Sequence, residues 1–233
     1  MRKRLRRRHD AQVRASSVCT AYRDVLDLTP GGQKARTALA ARVADVTGFF
    51  ALQAQSIEDQ RAAAADIRTG RQWLRNAGKA VVKVGRLVTL DETTMATMRL
   101  LGSVSDDELL AYTRGLLNRV VPYADAFVAE GMPLDLLTDI QEGIQRFAEA
   151  KDAYAAARQR FTAATEMIHE AQAKTSKTID AIEAVAVITP AANPEMLTKL
   201  RIARRIGPRS VAQPSQATLA LVVPDPALTD MAV

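Results

Sequence analysis

The chain has 233 residues, of which 48% are hydrophobic and only 4% aromatic, and its formal net charge is +6. A chain of this length can bury a substantial core, as one domain or as two small ones. Its single cysteine excludes a disulfide framework and a cysteine-based zinc site, and its two histidines exclude any site that needs three from one chain. No apolar run approaches the ~20 residues that a transmembrane helix needs.

Positive charge is concentrated at the amino terminus. The first eight residues contain six basic side chains and no acidic one, which leaves 26 basic residues against 26 acidic ones in the rest of the chain. The six are Arg2, Lys3, Arg4, Arg6, Arg7 and Arg8. Runs of like charge are typical of solvated segments, so we predict a disordered basic arm over residues 1–7. We expect removal of residues 1–8 to leave the melting temperature nearly unchanged.

The sequence after the arm bears on the compartment. A signal peptide needs an apolar stretch directly after its basic part. Here the chain continues His-Asp-Ala-Gln-Val-Arg, which is polar and carries charge of both signs. We therefore expect a cytoplasmic protein.

Helix-favouring residues and helix-ending signals dominate the chain, whereas strand signals are almost absent. The predicted helices cover residues 8–27, 34–88, 92–101, 106–130, 133–187 and 194–206. The Pro-Gly-Gly turn at 30–32 separates the first two, and Ser105 with Glu108 has the spacing of a capping box that opens the fourth. Pro122 predicts a kink in that helix. The Pro-containing segment 208–233 is predicted to be disordered.

Two of the predicted helices, each about 54 residues and about 80 Å long, carry a seven-residue repeat. In 133–187 the large positions are Ile140, Phe147, Tyr154, Phe161, Ile168, Thr175 and Ile182. The residues three positions later are mostly small: Gly143, Ala150, Ala157, Ala164, Ala171, Thr178 and Val185. In 34–88 the repeat is Leu39, Val46, Ile67, Leu74, Val81 and Val88, with a second series at Val43, Phe50, Ile57, Ala64, Arg71, Gly78 and Gly85.

Alternating large and small side chains let two helices approach closely, which favours an antiparallel pair, although a parallel pair remains the alternative. We therefore predict an all-α fold: an elongated helical bundle built on two long helices packed side by side, with shorter helices covering them. A second apolar strip around Trp73 makes the apolar arc wider than a two-helix seam needs. We expect the helix over 106–130, or a second copy of the chain, to cover it.

Six basic residues on the first long helix form what we call the basic stripe. They are Arg68, Arg71, Arg75, Lys79, Lys83 and Arg86. Their spacings of three and four residues place them on one helix face over about 27 Å. Such a row could neutralise nucleic-acid phosphates or anionic lipid headgroups, and the alternative is an ordinary solvated helix face.

Two further features are weaker. Glu166 and His169 have the Glu-x-x-His spacing that places two metal ligands on one helix face, but carboxylate-bridged metal sites need more ligands than this pair supplies. Basic residues recur near the carboxyl end of the last predicted helix, where they could contact an anion. They are Lys199, Arg201, Arg204, Arg205 and Arg209.

The common catalytic motifs are missing from the sequence. It contains no glycine-rich phosphate loop, no Gly-x-Ser-x-Gly and no His-Glu-x-x-His. We therefore predict no enzyme activity and no cofactor. The leading hypothesis is a helical scaffold or adaptor that binds a protein partner or a second copy of itself. The alternatives are an anion-binding module for nucleic acid or membrane surfaces and, more distantly, a metal-binding bundle.

Overall fold

Two long helices form the frame of the molecule, whose computed structural model describes residues 2–91, 98, 102, 104–189 and 194–206. The long helices are α3 (Pro30–Gly85) and α6 (Leu136–Ile188), with 56 and 53 residues. The others are α1 (Arg2–Ala21), α2 (Arg23–Leu26), α4 (Asp106–Val120), α5 (Ala124–Ala129) and α7 (Pro194–Arg204). The described residues form no strand, and the predicted all-α fold is confirmed.

Helices α3 and α6 lie side by side in opposite directions. Gln53 Nε2 donates a hydrogen bond to Thr165 Oγ1 at 2.8 Å. Farther along α3, Gly70 lies against the ring of Phe147, where an added Cβ would be 3.0 Å from Cδ2. Residue numbers on α6 therefore fall as those on α3 rise, which confirms the predicted antiparallel pair.

The predicted seam of α6 is buried along most of its length. Its buried members are Ile140, Gly143, Phe147, Ala150, Ala157, Ala164, Ile168, Thr175, Thr178 and Ile182. Of the first predicted series, Leu39, Val46, Leu74 and Val81 of α3 are buried, as is Val88 just after the helix, whereas Ile67 is half buried. The long-helix packing therefore follows the seven-residue repeat of the sequence.

The second predicted series of α3 was wrong in the middle of the helix. Between Phe50 and Ile67 the buried residues of α3 are Gln53, Ser56 and Ala63. Gln53 continues the seven-residue spacing of the first series, and Ser56 and Ala63 stand three positions after that spacing. Ile57 and Ala64, four positions after it, are only half buried. The side chains of Ser56 and Ala63 are small enough to allow the alanine-rich seam of α6 to come close. Helix α6 therefore packs on a slightly rotated face of α3.

Helix α1 begins at Arg2, so the prediction of a disordered arm over residues 1–7 was wrong for residues 2–7. Leu5 is only 6% exposed, and Gln172 Nε2 of α6 donates to its carbonyl oxygen at 2.8 Å. Leu5, Gln12 and Cys19 recur every seven residues and are all buried. One face of α1 thus packs inward at helical spacing, while the basic side chains from Lys3 to Arg8 are exposed.

Two prolines mark helix boundaries that differ from the prediction. Helix α3 begins at Pro30, four residues earlier than predicted, because proline suits the first helical position and Thr29 Oγ1 accepts a hydrogen bond from the Gly32 N–H at 3.1 Å. Pro122 does not kink the helix predicted over 106–130. It divides that segment into α4, a 3₁₀ turn at Val121–Tyr123 and α5.

The other boundaries shift by a few residues. The helix predicted over 8–27 breaks at Tyr22, α3 stops at Gly85, and the segment predicted over 133–187 becomes helical only at Leu136. The capping box of Ser105 and Glu108 is confirmed. The helix predicted over 92–101, apart from Met98, and the tail over 208–233 lie outside the described residues.

Buried apolar side chains form two separate cores. The first core joins α3, α4, α5 and the start of α6, around Leu74, Phe127 and Phe147. The second core joins α1, α2, α7 and the other ends of the long helices, around Leu26 and Leu200. Neither core includes a residue of α3 between positions 43 and 67.

We call the section between the two cores the waist, residues 53–66 of α3 and 152–165 of α6. Its contacts join the two long helices directly. Gln60 Nε2 donates to the carbonyl oxygen of Ala157 at 3.4 Å, and Arg160 pairs with Asp59 at 3.0 Å. The seam of the waist is thus more polar than either core.

Candidate protein-binding surface

One face of α3 is covered at both ends. The residues on this face follow the seven-residue series Val43, Phe50, Ile57, Ala64, Arg71 and Gly78. At one end the Phe50 ring lies 5.3 Å from the ring of His9 on α1, measured between centroids. At the other end Arg71 pairs with Asp106 of α4 at 3.0 Å, and Gly78 faces Tyr112.

The middle of the same face lies between these two covers. Ile57 and Ala64 are half buried, and the three heptads from Phe50 to Arg71 span about 30 Å of helix. Because residues seven apart lie on nearly the same side of a helix, Ile57 and Ala64 must face the gap between α1 and α4.

Helix α6 borders the same gap. Its Gln172 bonds to Leu5 of α1, and its Lys151 forms an ion pair with Asp107 of α4. Between these two contacts the aromatic side chains of Tyr154 and Phe161 are half buried. We call the surface formed by Ile57, Ala64, Tyr154 and Phe161 the front groove.

The rim of the front groove is basic. Arg68 on α3 and Arg158 on α6 are exposed, and neither forms an ion pair with another described residue. Glu58 and Arg61 pair with each other at 2.7 Å, so they add no net charge. The groove therefore combines an apolar floor with two uncompensated cations at its edges.

The basic stripe is divided by the segment that leads into α4. Arg71 donates to the carbonyl oxygen of Val104, and Arg75 Nη2 donates to that of Gly102 at 3.3 Å, so both side chains are half buried. The remaining four, Arg68, Lys79, Lys83 and Arg86, are exposed. The six predicted residues therefore share one helix, but two of them hold α4 in place.

The amino-terminal basic residues lie at one end of the front groove. Lys3, Arg4, Arg6, Arg7 and Arg8 are exposed on α1, whose first turn contains no acidic residue. The amino end of a helix carries a partial positive charge of its own. This end of the front groove is therefore strongly cationic, and the cations project from a helix.

The basic residues of α7 have intramolecular partners. Arg201 Nε and Arg204 Nη1 donate to Glu183 of α6 at 2.8 and 2.7 Å, and Arg204 also pairs with Asp180. The hydrogen bond from Arg201, with that from Arg204, lowers the pKa of Glu183 below its usual range. Lys199 pairs with Glu195 at 2.6 Å, and Arg209 lies outside the described residues. Arg201 and Arg204 therefore fasten α7 to α6, whereas the pair of Lys199 and Glu195 lies within α7.

Glu166 and His169 are both exposed on α6. His169 borders a pocket with Arg4, Leu5 and Arg8, and the two arginines oppose the approach of a metal cation. Among the described residues, no three His, Cys, Asp or Glu side chains are grouped so that they could hold a metal ion. The structure thus adds no ligand to this pair.

The single cysteine is a core residue. Cys19 is 1% exposed in the second core, and burial raises the pKa of its thiol to about 11. Since the thiolate is the nucleophilic form, this thiol is unreactive in the folded protein near neutral pH.

A second groove lies on the opposite side of the α3–α6 pair. It has a volume of about 580 Å³, and its floor includes Trp73, Gly143 and Phe147. Asp66 and Glu149 lie at its edges, so its border is more acidic than that of the front groove. Trp73 fills the space beside Gly143, where an added Cβ would be 2.2 Å from the ring.

The seven-residue repeat of the sequence places all four residues of the front groove in the seam between the long helices. The sequence feature that indicates the open section is the pair of polar residues Gln53 and Gln60 at seam positions of the α3 repeat. A run of glutamines in a seam indicates a section that lacks a dry multi-helix core. That signal predicts a waist, but only the packing of α1 and α4 defines which face is open.

None of the described helices contains an apolar stretch long enough to cross a bilayer. No protein-family model, curated protein or solved structure matches the chain.

Proposed function

We propose that this protein is a non-enzymatic helical scaffold that binds a protein partner through the front groove of the waist. One observation carries the proposal. Helices α1 and α4 cover the two ends of a single face of the α3–α6 pair, and the run of about 30 Å between them keeps an apolar floor. Grooves between helices that retain apolar side chains are typical sites for a partner helix.

The side chains of the floor support this function energetically. Tyr154 and Phe161 are half buried in the free protein, so a partner that covers them removes further apolar area from water. Each 100 Å² buried in this way contributes about 2.5 kcal/mol before the costs of association. Aromatic residues are also enriched among those that dominate binding energy at protein interfaces.

Site-directed photo-crosslinking tests the proposal. A photoreactive phenylalanine analogue replaces Ile57, and a matched protein carries it at Ala181, an exposed position of α6 outside the groove. In extract of the source cells, we expect a discrete adduct with another protein at Ile57 and not at Ala181. The same adducts at both positions, or none at either, would overturn the proposal. An adduct of twice the chain mass would identify self-association.

A second candidate function is anion binding. The observation that favours it is the exposed cationic end of α1, together with Lys79, Lys83 and Arg86. Binding to DNA, RNA and anionic vesicles, measured over a salt series, distinguishes the two functions because phosphate contacts weaken steeply with salt. Replacement of Arg4, Arg6 and Arg7 by Gln should make the affinity for these anionic ligands depend less steeply on salt. If the natural chain binds none of them at low salt, anion binding is not its function.

A further inference from the structure

We infer that the front groove accepts an acidic amphipathic helix of a protein partner. This inference rests on the proposed function and specifies the chemistry of its partner. Three features of the groove support it: its neighbours along the same face, its floor and its rim.

The neighbours along this face are themselves helices. Helix α1 packs on α3 and α6 at one end of the face, through Leu5, Gln12 and His9. Helix α4 packs on the same pair at the other end. The gap between them is therefore a section of one continuous interhelical groove that already accommodates a helix on either side. A third helix placed in line would complete the cover.

The floor determines the pattern of the occupant. Ile57 and Ala64 on α3 are two turns apart, as are Tyr154 and Phe161 on α6. An occupant helix would meet them with apolar residues at spacings of three, four and seven. About 12 to 16 residues of helix would fit the gap once the ends of α1 and α4 are allowed for.

The rim determines the charge of the occupant. Arg68 and Arg158 stand on opposite helices at the edges of the floor, and the cationic end of α1 adds further positive charge at one end. Carboxylates on both flanks of the occupant would meet these cations, and a helix with basic flanks would be repelled. Acidic flanks are therefore the complementary choice.

A second copy of the chain and a nucleic acid are the other occupants to consider. A second copy that bound through its own front groove would present the same arginines, so the two copies would oppose like charges. Nucleic-acid binding draws its affinity from many phosphate contacts, but among the described residues beside the floor we find two cations without an ion pair, Arg68 and Arg158. Both occupants are therefore less favoured than an acidic helix, and both are outcomes of the test below.

Labelled synthetic peptides provide the probe. The first has about 16 residues, leucines at spacings of three and four, and glutamates on both flanks. The second replaces the glutamates with lysines, and the third has the composition of the first in an order without an apolar face. Binding to the full chain is measured by fluorescence anisotropy at physiological ionic strength. We expect the acidic peptide to bind at least about tenfold more tightly than either control peptide.

Charge-reversed proteins locate the site. The double substitution Arg68→Glu with Arg158→Glu should lower the affinity for the acidic peptide by about tenfold or more. It should raise the affinity for the lysine peptide. The control is Lys79→Glu with Lys83→Glu, which makes the same change in charge outside the groove and should alter the affinity less than about twofold. Circular dichroism checks that each protein is folded. If the protein with Arg68→Glu and Arg158→Glu is unfolded, the protein with Arg68→Gln and Arg158→Gln is used in its place.

Several results would overturn the inference. In one, the acidic and lysine peptides bind with equal affinity. In another, the control protein loses as much affinity for the acidic peptide as the Arg68→Glu, Arg158→Glu protein does. Either result would show that the arginines of the rim do not select the charge of the partner. Tighter binding of a single-stranded oligonucleotide that is sensitive to Arg68 and Arg158 would assign the groove to nucleic acid. A dimer in light scattering that Ile57→Glu dissociates would assign it to a second copy. If the peptides fail but the photo-crosslink at Ile57 captures another protein, the proposed function stands and only the acidic helix is wrong.

Discussion

Two glycines determine how closely the long helices approach each other. At Gly143 an added Cβ would lie 2.2 Å from the Trp73 ring, and at Gly70 it would lie 3.0 Å from the ring of Phe147. In each case an aromatic side chain of one helix occupies the space beside a glycine of the other. These positions need glycine for its size, because both residues have ordinary helical geometry.

Substitution of Gly143 by Ala should destabilise the protein. The new methyl group collides with Trp73, and relief of that collision requires a shift of the ring or the helix, which costs about 1–3 kcal/mol. The matched control is Gly48→Ala in α3, where nothing lies within 4 Å of the new Cβ. The control should be stabilising by up to about 1 kcal/mol because alanine favours helix. Urea denaturation measures both changes, and equal effects would contradict this account.

The buried Cys19 thiol predicts a loss of stability at alkaline pH. Burial raises its pKa from the ordinary 9.0 to about 11, so the unfolded chain releases this proton at lower pH than the folded chain. The stabilisation is therefore complete below pH 9 and declines as the pH rises towards 11, by about 2–3 kcal/mol in all.

The check for Cys19 is a comparison of two pH profiles. Other groups titrate in the same range, so the free energy of unfolding is measured from pH 8 to 11 for the natural chain and for Cys19→Ala. The difference between the two should decrease as the pH rises. A constant difference would show that the thiol does not titrate with the pKa that its burial implies.

At the scale of single elements, α1 shows how charge can mask an amphipathic helix. Its first turns carry a cluster of basic residues, yet Leu5 and Gln12 are buried against α6. Leu5 is the only large aliphatic residue among the first eight after the initial Met, so the apolar face of this turn rests on one side chain. The basic side chains do not prevent helix formation because they remain in water.

Replacement of Leu5 by Ala should therefore destabilise α1, contrary to the behaviour expected of a disordered arm. Loss of a buried leucine costs about 2–4 kcal/mol, and here the loss should loosen the amino-terminal half of α1 first. Val13→Ala, at a position 39% exposed, is the control and should cost much less. Hydrogen exchange of α1 measures the effect. If hydrogen exchange in α1 is the same in Leu5→Ala as in the natural chain, residues 2–7 are not packed on α6 and the arm is disordered.

At the scale of the whole molecule, two apolar cores are joined by a polar waist. The first core includes Phe127 and the second includes Leu200, and both side chains are fully buried. The long helices run through both cores, but the waist between them is held by side-chain bonds such as that from Gln53 to Thr165. Such a connection transmits stability less well than a continuous apolar core.

The two ends should therefore unfold as partly independent units. Leu200→Ala should accelerate hydrogen exchange in α1 and α7 while leaving α4 nearly unchanged, and Phe127→Ala should do the opposite. Each substitution should cost about 3 kcal/mol at its own end. Exchange measured at increasing urea concentration resolves the two transitions. If either variant accelerates both ends equally, the molecule is a single cooperative unit.

The sequence by itself determined the class and frame of this protein. The repeat from Ile140 to Ile182 predicts a long helix and its buried side, because a seven-residue spacing keeps side chains on one face. Local signals also predict the capping box at Ser105, since its hydrogen bonds lie within a single turn. Both inferences depend only on residues close together in the chain.

The tertiary structure alone decided which faces of the frame are covered. The seven-residue spacing of Ile57 and Phe161 is compatible with a buried seam, and their half-buried state follows from where α1 and α4 begin. Leu5 likewise is buried only because α6 passes beside it, far along the chain. A periodic pattern shows which side of a helix is apolar, but it does not show which distant helix covers that side or how far the cover extends. The open groove is therefore a property of packing, whereas the helices that border it are properties of the sequence.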